Sequence, residues 1–146
     1  MHPQIYLNWT AIVAAVVASF VFGWLWHGPL FGKLWCKLMK ITMPKKPDPK
    51  AMLRPMALTI LGTFLIAYVM NSNVAVWRPS TWSVGADAAP YVYGFFAGFF
   101  VWLGYFIPQQ LSAVAWERRS WGIFGLNLAF HFINLQIIAM IVAHWR

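Results

Sequence analysis

Asn127, His131 and Asn134 recur at i, i+4 and i+7, a spacing that puts two amides and an imidazole on one face of a helix. A neutral imidazole donates through one ring nitrogen and accepts through the other, so such a face suits a small polar ligand, an ion, or the polar groups of a neighbouring helix. His27, Thr63 and Gln110 stand in three other apolar stretches. These six are the candidate ligand-binding residues, because polar groups in hydrocarbon are costly unless they face protein or a cavity. Imidazole also binds metals and haem iron, so His27 with His131, and His2 with His144, make two formal axial pairs. No metal site or cofactor is assigned from them, since the single Cys36 excludes a multi-cysteine set. Catalytic residues are equally lacking. The three carboxylates, Asp48, Asp87 and Glu117, fall in loops, and there is no Ser-His-Asp, Cys-His or His-Glu-x-x-His arrangement and no phosphate-binding glycine loop. Hydrolytic chemistry is not expected.

The elements that hold these residues are membrane-spanning. Of 146 residues, 61% are hydrophobic and only 10% charged, against roughly 25% charged in soluble domains. The net charge of +8 would suggest nucleic acid in a soluble chain. Here the basic residues sit at the ends of apolar runs, so the expected partner is the phospholipid surface and no nucleic acid. Four spans are predicted, at about 8–30, 55–77, 91–116 and 121–145, each longer than the roughly 20 residues a bilayer requires. They form one domain, an antiparallel bundle. No Lys or Arg precedes the first apolar run, which argues against a signal peptide.

Punctuation along the chain supports this division. Gly28-Pro29 interrupts the end of the first span and Pro108 the third, so both should kink. After the first break, Lys33, Lys37 and Lys40 oppose Leu34, Trp35, Leu38 and Met39, which reads as a short interfacial helix. Residues 43–50, with three prolines and three lysines, read as an extended loop. Pro55 suits the first turn of the second span. That span carries Thr59, Thr63, Ala67 and Asn71 at four-residue intervals, and the third carries Gly94 and Gly98; both stripes let helices approach closely. Residues 78–90 read as a polar loop. The hinge at 117–120 makes the last two spans antiparallel neighbours.

Nine basic residues (Lys33, Lys37, Lys40, Lys45, Lys46, Lys50, Arg54, Arg118 and Arg119) share one side, and only Arg78 and Arg146 the other. The positive-inside rule makes the first side cytoplasmic and both termini external. Six tryptophans, Trp9, Trp77, Trp82, Trp116, Trp121 and Trp145, lie near span ends as an interfacial belt.

Asn8-Trp9, the run at 23–35, Gly104-Tyr-Phe-Ile-Pro108, Glu117-Arg-Arg-Ser-Trp121, Asn127 and His131 together give a joint pattern over nearly the whole chain. In it the chain resembles the bacterial domain-of-unknown-function family 1761, small four-helix membrane proteins. That family's pattern usually has Tyr where His27 stands. The resemblance implies a fold and no activity.

Three functional readings follow. In the first, a homo-oligomeric bundle binds or passes a small molecule, lipid or ion through one polar layer. Counting 1.5 Å per residue from the basic end puts His27, Gln110 and Asn127 at neighbouring depths, with Thr63 comparable and His131 about a turn and a half further in. In the second, the chain is an assembly subunit that docks through its Gly and Thr faces. In the third, it is a haem or metal redox protein. A purely structural layer of interhelical hydrogen bonds competes with all three.

Overall fold

The computed structural model describes residues 2–3, 5–42, 45–46 and 48–145. Among the described residues there are six α-helices: α1 (Trp9–Leu25), α2 (Gly32–Met39), α3 (Pro49–Val76), α4 (Pro90–Val101), α5 (Ile107–Trp116) and α6 (Trp121–His144). Four continuous helical stretches are long and apolar enough to cross a membrane: Trp9–Leu30, Pro49–Val76, Pro90–Trp116 and Trp121–His144. The protein is an all-α, multi-pass membrane protein, and no strand occurs among the described residues.

Local chemistry sets the helix starts. Asn8 accepts from the Ala11 N–H at 3.0 Å, Asp48 from the Lys50 N–H at 3.0 Å and Ser120 from the Ile123 N–H at 3.3 Å, each satisfying a donor that a first turn leaves unpaired. The second span therefore opens earlier than Pro55. Asp48 caps it, Pro49 takes the first helical position, and Pro55 lies inside α3. Of the loop expected at 43–50, Met43, Pro44 and Pro47 lie outside the described residues, as does Arg146.

Both interrupted spans are relieved by inserting a residue. At Trp26–Leu30, which contains Pro29, the closing N–H of Phe31 reaches the Trp26 carbonyl five residues back at 2.8 Å. At Trp102–Phe106 the Ile107 N–H reaches the Trp102 carbonyl in the same way. These are π turns. The second lets Pro108 fall in the first turn of α5, where its missing donor is harmless.

Helix α6 is the centre of the bundle and packs against each of the other five helices. The close-packed core lies toward the chain termini, where Ala11, Ile12 and Ala15 of α1 meet Ala67, Met70 and Val74 of α3 and Leu135, Ile138, Ala139 and Val142 of α6. Gly94 and Gly98 are the seam between α4 and α6. A Cβ on Gly94 would lie 3.2 Å from the Ala139 carbonyl oxygen, and one on Gly98 2.8 Å from Gln136 Nε2 and 3.3 Å from the Leu135 oxygen. The chain itself thus occupies this glycine face.

The other half is filled by rings. Phe22 stacks on Phe130 at 5.5 Å, and Trp26 meets Phe31 at 4.4 Å and Phe130 at 5.9 Å. Helix α2 rests on this half through its apolar side. A Cβ on Gly122 would sit 2.9 Å from Leu38 Cδ2, and Trp35 meets the His27 ring at 5.7 Å.

Candidate functional site

The six polar residues do not join into a single network. Ser19 donates to Asn134 Oδ1 at 2.7 Å, linking α1 to α6 through two buried side chains. Asn127 donates to Gln110 Oε1 at 3.2 Å, linking α6 to α5. Thr63 is buried on α3 and makes no hydrogen bond to the other five. Asn127 and Asn134 are separated by roughly 10 Å of helical rise, so the two amide links lie at different levels.

The histidines flank a phenyl ring. His27 and His131 both pack edge-on against Phe130, at 4.7 and 5.2 Å, and His131 also meets Phe106 at 4.6 Å. His27 Nδ1 donates to the Gly23 carbonyl at 3.1 Å, which leaves Nε2 as its acceptor. Beside them the Trp26 indole N–H is buried without a partner among the described residues. The other formal pair, His2 and His144, is exposed, and His144 bonds its own helix at the Met140 carbonyl. Among the described residues no three His, Cys, Asp or Glu side chains gather as a metal site.

At the opposite end, near the termini, the loop at 78–90 does more than connect. Arg78 is only 5% exposed and donates to the Ala143 carbonyl in the last turn of α6. Carbonyls there lack helical partners and carry the negative end of the helix dipole, so a guanidinium is favoured. Asp87 Oδ2 stands 3.6 Å from Arg78 Nη1, and the Tyr93 ring lies 5.4 Å from the guanidinium carbon. Ser80 holds both carboxylate oxygens, through its N–H at 2.9 Å and its hydroxyl at 2.8 Å. The sequence signal for this clamp was a lone Arg and a lone Asp in one short loop between apolar spans. Nearby, Asn71 donates to the Tyr6 carbonyl and Asn8 to the Trp145 carbonyl, each at 3.1 Å, so the two ends of the chain meet.

An apolar concavity lies between α3 and α4. A cleft of about 450 Å³ bounded by Trp77, Tyr93, Phe96 and Phe100 adjoins one of about 370 Å³ bounded by Leu65, Val69 and Phe106. Asn73, Val101 and Tyr105 line both, so the two form one groove. Its span on α3, from Leu65 to Trp77, corresponds to roughly 18 Å of helix. The walls are almost wholly apolar. Where the two clefts join, the Asn73 side-chain oxygen accepts from the Trp77 indole at 3.1 Å, while the Asn73 amide nitrogen has no partner among the described residues. None of the six residues singled out from the sequence lines this groove. Depth counting finds polar residues at one level, whereas the groove is a gap between apolar helix surfaces.

Comparison with known families matches nearly the whole chain. The model of DUF1761, a protein family of unknown function, matches residues 10–143, and the chain belongs to that family. Neither a curated protein nor a solved structure matches it.

Proposed function

We propose that this DUF1761 member binds a single-chain amphiphile in the membrane, its tail along the groove between α3 and α4 and its polar group within reach of Asn73 and Tyr105, where the two clefts join. The observation that carries this reading is the continuity of the two clefts through Asn73, Val101 and Tyr105. An elongated apolar trough suits an extended hydrocarbon chain, and where the two clefts meet the Asn73 amide and the Tyr105 hydroxyl offer hydrogen-bonding positions to a polar group. The Asn127–Gln110 and Ser19–Asn134 links already satisfy one another, which favours a holding role for that part of the polar layer over a pore. The Gly94 and Gly98 face is taken within the chain, which weighs against docking through it.

A diazirine-bearing fatty acid, offered to the protein in nanodiscs, should cross-link mainly to residues 65–77 and 93–106. Val101→Trp fills the groove and should lower that cross-linking several-fold at unchanged thermal stability. Labelling spread equally over the exposed Val13, Val17 and Val21 face of α1 would mark ordinary surrounding lipid and sink the reading. Native mass spectrometry reads the expected homo-oligomer in parallel. A two-chain species that disappears in Val101→Trp would place a second copy in the groove instead.

The proposed orientation puts the basic end in the bacterial cytoplasm and both termini outside. It is supported by the nine basic residues on one side. An impermeant thiol reagent should then leave Cys36 unlabelled in intact cells, and labelling there would reverse the topology.

A further inference from the structure

We infer that the basic end is a binding surface for anionic phospholipid headgroups, formed jointly by α2, the start of α3 and the hinge before α6. The argument is independent of the groove. Leu38 on Gly122 and Trp35 on His27 use the apolar side of α2 against the bundle, so Lys33, Lys37 and Lys40 are turned outward and exposed. The same contact ties α2 to the residues just after the hinge, where Arg118 is exposed. Helix α3 has 28 residues and is about 42 Å long, well over a hydrocarbon core of roughly 30 Å. Its first turns, with Lys50 and Arg54 at i, i+4, are exposed throughout and extend to headgroup level.

Charge complementarity selects the occupant. Two carboxylates lie at this end. Asp48 caps α3, and Glu117 pairs with Arg119 at 2.7 Å. The eight remaining cations make no ion pair among the described residues. Trp116 and Trp121, 85% and 67% exposed at the same end, set its depth at the headgroup boundary. Lysines and arginines held at that depth face phosphodiesters of the leaflet in which the bundle already stands, so an anionic lipid fits better than a soluble polyanion.

The test uses the full chain in mild detergent, with phosphatidylglycerol and phosphatidylcholine supplied together. Native mass spectrometry should show several-fold more phosphatidylglycerol retained, and the excess should shrink as salt is raised. The joint change Lys33→Gln, Lys37→Gln, Lys50→Gln and Arg54→Gln should abolish the preference. Because loss of positive charge can disturb insertion, acetylating the lysines of the purified, folded protein provides a second route and should give the same loss. Equal retention of the two lipids, or a preference that survives acetylation, overturns the proposal. So does salt-released RNA or acidic protein at this surface in place of lipid.

Discussion

The two halves of the bundle are held by different physics. Toward the termini, small residues and glycines bring backbones together, and a buried arginine ties the 78–90 loop to the end of α6. Toward the basic end, two π turns open the helical ladders, and aromatic rings fill the space that results. Close backbone packing leaves no room for change. Ring packing does, because a ring substituted for another ring retains much of its contact. The teaching is that the terminal half is the rigid frame and the basic half the adaptable one, and substitutions should divide accordingly.

The largest effect should come from Arg78→Ala. It removes the cap on α6 and leaves Asp87 without its cation in a half-closed loop, which costs roughly 3 kcal/mol by analogy with other broken buried pairs. Thermal unfolding in detergent should show a large drop in midpoint. An unchanged midpoint would mean that the terminal half does not depend on its clamp.

Next is Gly98→Leu. A side chain there meets Gln136 and the Leu135 carbonyl, where even a Cβ would be within 2.8 and 3.3 Å, and overpacking of this kind costs about 1–3 kcal/mol. The matching change at the other half is Gly28→Ala, whose Cβ meets nothing within 4 Å. It should be close to neutral. Equal losses for the pair, read as unfolding midpoints, would erase the contrast between frame and adaptable half.

Asn134→Leu removes the buried bond to Ser19 and should cost about 0.6–1.7 kcal/mol, the usual range for one intramembrane hydrogen bond. His131→Phe should have the smallest effect. The aromatic rings that His131 packs against are Phe106 and Phe130, and a phenyl ring keeps both contacts. A loss larger than that of Asn134→Leu would show that its nitrogens matter to the fold.

Much of this architecture was legible in order along the chain. Hydropathy is a local property, so the four spans, the basic end and the glycine seam of Gly94 and Gly98 could be read directly, as could the breaks at Pro29 and Pro108. Caps were partly legible. Asn8 and Ser120 stand just before apolar runs, but Asp48 was hidden among prolines and lysines, and Pro55 drew the boundary too late.

Pairing between helices was decided only in three dimensions. Depth follows from counting residues, but which side chain meets which depends on the rotation of each helix, and a π turn alters that rotation by inserting a residue worth about 100°. Beyond Trp102–Phe106 the face on which Gln110 lies no longer follows from the face of Gly94 and Gly98. Hence the sequence could place His27, Thr63, Gln110 and Asn127 near one level, yet the tertiary structure alone decided that Gln110 meets Asn127, that Ser19 takes Asn134, and that Phe130 packs against both histidines. Arg78 is the same case at the other end. Its charge was visible in the sequence, but its burial on the Ala143 carbonyl required the end of α6 to arrive there.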